Sequence, residues 1–142
     1  MGRAPVQVAF DSSGRHVVVS LNGENKIAVV DVAARKLLWK AEVGRGPVQV
    51  MITPDDKMAL VANQGSAANP DNRLSLVSLA ERKTIATVQV GRGAHGVALD
   101  ADGRTAYVTN TYADTVSAID LVSRTVTASY STGKGPNGIV VR

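Results

Sequence analysis

The sequence of 142 residues predicts an all-β protein built as a β-propeller. Three observations lead to this prediction: a glycine–basic turn recurs four times, short β-branched segments follow each turn, and almost no segment has helical periodicity. The turns begin at Gly2, Gly44, Gly91 and Gly133, which are 42, 47 and 42 residues apart. A repeat of about 40–45 residues that is rich in short strands is typical of propeller blades.

These turns divide the chain into repeat units. Residues 2–43, 44–90 and 91–132 are each predicted to form a four-stranded antiparallel blade, and residues 133–142 to contribute the first strand of a fourth. The second unit is longer than the first by 47 − 42 = 5 residues, and the extra residues fall within 64–72. We interpret them as a lengthened loop between two strands.

The first half of each unit is predicted to be two strands joined by a tight turn. First strands are expected at residues 6–10, 48–52, 96–99 and 138–141, and second strands at 16–20, 58–62 and 105–109. The second strands contain continuous apolar runs, which indicate burial on both faces of the sheet. The intervening turn carries Asp or Thr at its first position and Gly at its last, as in a type I turn with a left-handed final residue. Asp56 replaces this glycine in the second unit, and Asp tolerates that conformation better than most residues.

The second half of each unit is predicted to be the outer half of the blade. Third strands are expected at residues 27–31, 74–78 and 116–120, and fourth strands at 37–43, 84–90 and 126–132. The fourth strands carry more polar side chains, among them Lys40, Thr87 and Ser129. Polarity that rises from first to fourth strand is expected of a sheet that runs from a central axis to a solvated rim.

Tyr107-Val108-Thr109-Asn110, together with the glycine–arginine–glycine turn and the Asp-x-Asp-Gly turn of the third unit, resembles the YVTN family of β-propeller repeats. The resemblance covers essentially the whole chain, although the second unit keeps only Val61 and Asn63 of the signature. Proteins similar to this family are often extracytoplasmic or surface-associated. The resemblance therefore implies a periplasmic or extracellular protein.

A closed propeller needs about 4–8 blades, and this chain supplies three and the start of a fourth. The remaining blades come either from a longer chain or from a homo-oligomeric ring. We favour the longer chain, because residues 6–10 already provide an inner strand for blade one and residues 138–141 would be surplus in a ring of two chains. The isolated chain is not expected to be a well-behaved monomer, because both terminal sheet faces would be exposed.

One cation follows the first glycine of every unit and forms the candidate ligand site: Arg3, Arg45, Arg92 and Lys134. These side chains are predicted to form a basic ring at the mouth of the central channel and, with the neighbouring backbone amides, to hold an anion. The alternative is that they are solvated side chains beside structural glycines. Asn63 and Asn110, which end second strands beside the loops of the same face, are also candidate ligand contacts. Loops that differ between equivalent blades are where repeat proteins usually bind partners.

The two histidines have different expected roles. His95 precedes a first strand and is a candidate haem or metal ligand, the alternative being a polar turn residue. His16 begins a second strand and is expected to be structural. No metal site is predicted, because the turn at Asp100 lacks the ligands that should follow in a calcium loop. The absence of cysteine excludes disulfides and thiolate ligands within these residues.

The function expected is a non-catalytic binding module for a protein, a glycan or a small anionic ligand, with no cofactor and no catalytic residue. One alternative is the propeller of a periplasmic oxidoreductase similar to d1-haem nitrite reductases or amine dehydrogenases, and another is a lactonase-like hydrolase. Nucleic acid is not expected as a partner, because the net charge of +4 is scattered and one Trp, one Phe and three Tyr are too few to stack bases. No apolar run approaches the ~20 residues of a membrane helix.

Overall fold

The computed structural model describes residues 2–142 and contains three four-stranded antiparallel sheets. Blade one comprises β1 (Pro5–Phe10), β2 (His16–Leu21), β3 (Lys26–Asp31) and β4 (Lys36–Glu42). Blade two comprises β5 (Pro47–Ile52), β6 (Met58–Gly65), β7 (Pro70–Ser78) and β8 (Lys83–Gln89). Blade three comprises β9 (Ala94–Leu99), β10 (Thr105–Asn110), β11 (Thr115–Asp120) and β12 (Thr125–Ser131). The described residues add one three-residue 3-10 turn at Asn22–Glu24, so the all-β prediction is confirmed.

The strands of each sheet follow chain order, and the first strands of successive blades contact one another, β1 with β5 and β5 with β9. A side-chain amide joins each of these pairs. The backbone N–H of Val50 donates to Oε1 of Gln7 at 2.7 Å, and the N–H of Val97 donates to Oε1 of Gln49 at 3.0 Å. The repeated glutamine therefore ties the inner strand of one blade to that of the next.

Strand β6 shows why the second strands are apolar throughout. Ala59 and Val61 face blade one, where they join a cluster with Val18 and Ile27. Leu60, the residue between them, faces blade three and joins a second cluster. Because both faces of this strand are buried against neighbouring sheets, neither set of alternating side chains reaches solvent.

The turns between first and second strands have the predicted conformation. Gly14, Asp56 and Gly103 hold the equivalent position and have φ values of 69°, 55° and 66°. Asp56 thus adopts the left-handed conformation that glycine adopts in the other two blades.

The extra residues of the second unit form longer strands, not the lengthened loop expected. Strand β6 runs on to Gly65 and β7 starts at Pro70, so the connection is only residues 66–69. Ser66 and Asn69 close it by exchanging backbone hydrogen bonds of 3.1 Å. The positive φ of Gly65, 65°, permits the irregular step in register that precedes this turn.

Residues 138–141 do not form the predicted strand, because no later segment of the sequence pairs with them. The residues just before them nevertheless dock on blade three as blade two docks on blade one. Oγ1 of Thr111 donates to the carbonyl oxygen of Pro136 at 2.7 Å, and Nδ2 of Asn22 donates to the equivalent carbonyl of Pro47 at 3.2 Å. The chain thus begins a fourth blade without building its sheet.

The outer face of blade one is apolar and open. Val6, Val8 and Phe10 are 52%, 48% and 57% exposed, whereas the equivalent Val48 and Val50 of blade two are 8% and 1% exposed. The difference arises because blade two has a neighbour on that side and blade one has none in this chain. Among the described residues 2–142, no helix has the length and apolar character needed to cross a membrane.

We predict that the 142-residue chain self-associates through this face and that the double change Val8→Thr with Phe10→Thr weakens the association, because it removes apolar area from the open sheet. Sedimentation velocity at micromolar concentration measures the effect. Val122→Thr is the control, since Val122 is 75% exposed but lies in a turn at the rim. A parent chain that sediments as a single monomeric species would contradict this prediction.

Candidate functional site

The turn that enters each blade lies beside the connection between its second and third strands. The N–H of Asn22 donates to the carbonyl of Ala4 at 2.9 Å, and the N–H of Thr111 donates to the carbonyl of Gly93 at 2.9 Å. In blade two the N–H of Gln64 donates to the carbonyl of Gly46 at 3.1 Å. These turns and connections share one side of the molecule, which we call the loop face.

Two of the predicted cations adopt the same arrangement on this face. Nη2 of Arg45 donates to the carbonyl oxygen of Pro70 at 3.1 Å, and Nη2 of Arg92 donates to that of Tyr112 at 3.2 Å. Both side chains are exposed, as are Arg3 and Lys134. Each guanidinium is therefore aligned by its own blade while its other N–H groups face solvent.

Carboxylates accompany the cations in two blades. Glu24 and Asp71 hold equivalent places and accept the backbone N–H groups of Arg3 and Arg45, each at 2.7 Å. The equivalent residue of blade three is Ala113. Asp114, the next residue, accepts the backbone N–H of Gly135 at 2.9 Å, beside Lys134. The predicted basic ring is therefore offset by acid at the turns of Arg3, Arg45 and Lys134, and the turn of Arg92 donates no hydrogen bond to a carboxylate among the described residues.

Ion pairs hold these two carboxylates in their charged form. The hydrogen bond from Lys40, followed by that from the N–H of Arg3, lowers the pKa of Glu24. Burial on its own would raise the pKa of Asp71, but hydrogen bonds from the Arg73 side chain and the Arg45 N–H outweigh it, so its pKa is also lowered. Nη2 of Arg73 lies 2.5 Å from Oδ2 of Asp71, whose side chain is 1% exposed. This carboxylate therefore stabilises the entry turn and is not accessible to a ligand.

Asn63 and Asn110 lie beneath the loop face and not on it, since both are fully buried. Nδ2 of Asn63 donates to Oγ of Ser75 at 3.0 Å, and Nδ2 of Asn110 donates to Oγ of Ser117 at 2.9 Å. Their side chains fill the space where an entry-turn side chain would stand. A Cβ atom at Gly91 would lie 2.6 Å from Cγ of Asn110. The described geometry makes these asparagines supports of the entry turns.

His95 contacts the chain segment that follows blade three. Its Nδ1 lies 2.8 Å from the carbonyl oxygen of Asn137. A carbonyl only accepts, so Nδ1 carries a proton, and in a neutral imidazole Nε2 then keeps its lone pair. Residues 2–142 contain no group of three His, Cys, Asp or Glu side chains placed to hold a metal ion. Nε2 of His95 is therefore available as a ligand, but the described residues supply no other side chains to complete a metal site.

A groove of about 420 Å³, which the sequence does not predict, lies between blades one and two on the side opposite the loop face. Asp11, the first residue of its turn, and Asp56 are predicted from the sequence as turn residues, and His16 as a structural residue. Nδ1 of His16 indeed pairs with Oδ2 of Asp11 at 2.8 Å, and both residues also line the groove. The signal that could have found it is Trp39, the one tryptophan of the sequence, at a position where the other blades have Ala86 and Ala128.

We predict that Gly91→Ala destabilises the chain by about 1–3 kcal/mol, because the new methyl group would displace an asparagine whose amide is held by hydrogen bonds. Urea unfolding measures the change. Gly133→Ala is the matched control, since Gly133 opens the fourth unit and a Cβ atom there would meet nothing within 4 Å. Equal effects of the two changes would show that Asn110 does not constrain the turn.

We predict that Asp71→Asn lowers the free energy of unfolding by about 1–3 kcal/mol near neutral pH, because it breaks a charged hydrogen bond. The pKa of Asp71 is lowered in the folded chain, so its contribution is present above the ordinary value of 3.8 and is lost as the pH falls through the lowered pKa. Urea unfolding of parent and variant across this range measures it. A difference that stays constant down to the most acidic pH would contradict the assignment.

Comparison with known proteins agrees with this architecture. The chain matches Kuenenia stuttgartiensis hydrazine synthase with a TM-score of 0.86 and 23% identity over 94% of its residues, and spans 38% of that chain. It matches apo AztD from Citrobacter koseri with a TM-score of 0.74 and 17% identity over 94% of its residues, and spans 36% of that chain. At these identities the likeness shows the fold. None of the curated proteins searched matches the sequence.

A family model described as YNCE-like beta-propeller matches residues 1–142, the whole sequence. The three four-stranded antiparallel sheets agree with a β-propeller family. The chain belongs to the YNCE-like β-propeller family.

Proposed function

We propose that this chain is part of a non-catalytic β-propeller of the YVTN repeat kind, periplasmic or extracellular, which binds an acidic ligand on its loop face. The ligand is a protein, a glycan or a small anion that carries carboxylate, sulfate or phosphate groups. The observation that supports this most is the shared arrangement of Arg45 and Arg92, each aligned by one carbonyl of its own blade. Aligned guanidinium groups with unused N–H donors suit planar or tetrahedral oxyanions.

The strongest anion contact on this face is placed at blade three. Arg92 lies in the blade that has Ala113 in place of Glu24 or Asp71, so no carboxylate of that kind reduces its attraction for an anion. Lys134 follows in the next unit and is exposed. The turn that holds Lys134 also contacts Asp114, whose Oδ1 accepts the N–H of Gly135 at 2.9 Å, so the anion is placed against Arg92.

The remaining blades are proposed to come from a longer chain. The tail supports this, because Nδ1 of His95 and Oγ1 of Thr111 hold the carbonyls of Asn137 and Pro136 as if a fourth blade continued. The open apolar face of β1 would then be covered by the last blade of the ring. The length comparison is consistent with it, since the chain spans 38% and 36% of the two similar structures.

The oxidoreductase and lactonase alternatives stay predictions. The observation that bears most on the oxidoreductase is that His95 uses Nδ1 for its hydrogen bond and leaves Nε2 available as a ligand. The described residues place no group of three His, Cys, Asp or Glu side chains to complete a metal site. An absorption spectrum of the purified protein separates that alternative from the binding module. A haem or copper absorption band that is lost in His95→Ala would contradict the binding module and favour the oxidoreductase.

We predict that the double change Arg45→Ala with Arg92→Ala weakens binding of sulfate, phosphate or an acidic sugar at least tenfold, because charged hydrogen bonds are worth about 1.5–3 kcal/mol each. Arg92→Ala is expected to account for more of the loss than Arg45→Ala. Isothermal titration calorimetry at low and high salt measures binding, and the affinity of the parent should fall as salt screens the charges.

The matched control is Arg35→Ala with Arg124→Ala, which removes the same charge from two exposed turns on the opposite side. An equal loss in this control would show that only net charge matters. No anion binding by the parent chain would remove the proposed function and leave these arginines as solvated turn residues.

A further inference from the structure

The groove between blades one and two combines an apolar floor with charged walls. Val18, Val29, Ile52, Leu79 and Trp39 line it, and of these Val18 and Val29 are buried. The charged and titratable side chains that line it are Asp11, His16, Asp56 and Arg82. Its volume of about 420 Å³ falls within the range of small-molecule sites, about 300–1,000 Å³.

The equivalent place between blades two and three is much smaller. The cavity there is about 140 Å³, and its lining includes Thr53, Met58 and Gly103, which are the counterparts of Asp11, His16 and Asp56. In blade two Ala86 pairs with the third strand at Leu76, and in blade one Trp39 pairs with the third strand at the equivalent Val29. The junction between blades one and two therefore differs from the next junction of the described chain by an aromatic side chain, Trp39, and three charged or titratable ones, Asp11, His16 and Asp56.

Some of the polar groups in the groove are already used. Asp11 accepts from Nδ1 of His16 at 2.8 Å and from Oγ of Ser13 at 3.0 Å, and its side chain is 12% exposed. Asp56 accepts the N–H of Ser12 at 2.9 Å and also its hydroxyl. These bonds fix the two carboxylates in position, and Asp56 keeps further lone pairs for a donor.

Arg82 is the group that remains free. Among the described residues, its guanidinium forms no side-chain hydrogen bond, and no salt bridge joins it to Asp56 although both line the groove. The guanidinium nitrogens of Arg82 therefore lie more than 4 Å from the carboxylate oxygens of Asp56 in the same groove. A ligand that carries both charges can bridge them.

We propose that this groove binds a zwitterion with an apolar body, an α-amino acid with an aliphatic or aromatic side chain. Its carboxylate pairs with Arg82, its ammonium pairs with Asp56, and its side chain packs on the apolar floor against Trp39. A simple anion would pair with Arg82 but be repelled by Asp56. A simple amine would pair with Asp56 but be repelled by Arg82. The zwitterion satisfies both walls at once. This site lies on the side opposite the loop face and does not rest on the proposed function.

The test uses the fluorescence of Trp39, which reports this groove without interference because the sequence has one tryptophan. The 142-residue chain is titrated with leucine and with its two single-charge analogues, 3-methylbutylamine and 4-methylpentanoate. Leucine is expected to give a saturable change in emission, and each analogue is expected to bind at least tenfold more weakly.

Variants assign the two charges. Arg82→Gln and Asp56→Asn are each expected to weaken leucine binding at least tenfold. Asparagine tolerates the left-handed conformation of position 56 and can still accept the N–H of Ser12, so the turn is kept. Arg124→Gln is the matched control, since Arg124 holds the same turn position in blade three with the same φ of 59°.

Any of three results would overturn the proposal: no saturable change with leucine, an analogue that binds as tightly as leucine, or an Arg124→Gln variant as impaired as Arg82→Gln. Far-UV circular dichroism of each variant confirms that the sheets are retained, so that lost binding is not lost folding. The calorimetric titrations with sulfate and phosphate concern the other side of the molecule, and their outcome is independent of this one.

Discussion

Everything in this molecule depends on apolar sheet faces that must be covered by the next sheet. A four-stranded blade cannot bury both of its faces by itself, so the second strands become apolar along their whole length only because a neighbour lies on each side. Ala59 and Leu60, adjacent in sequence, belong to different interfaces for this reason. The inner-strand glutamines, Gln7 and Gln49, add a directional bond to this packing and set the position of each blade on the last.

The same constraint produces the two sides on which binding is proposed. Because each blade repeats the path of the previous one, every entry turn falls beside the connection between second and third strands, and Arg45 and Arg92 acquire the same pose. The opposite side is repetitive too, and there the replacement of alanine by one large residue accompanies the groove. Trp39 stands where the other blades have alanine, and it forms one wall of the groove between blades one and two.

Much of the fold can be predicted from the sequence, because the repeat places the same turn signals at the same spacing in every unit. The left-handed turn residue at Asp56 follows from its alignment with glycine. The short connection at residues 66–69 could not be predicted, because extra residues lengthen a loop or its flanking strands at similar cost. Neither the role of Asn63 nor the groove could be predicted from the sequence. Both depend on burial and on contacts between distant segments, which the spacing of residues does not reveal.

The central claim is that each blade is ordered by the face of its neighbour, and amide hydrogen exchange followed by NMR tests it most directly. The amides of Val50 and Val97 are bonded to the glutamine of the preceding blade, and the equivalent Val8 has no preceding blade in this chain. The account predicts strong protection at Val50 and Val97 and fast exchange at Val8. Protection at Val8 equal to that at Val50, in a chain shown to be monomeric, would contradict it.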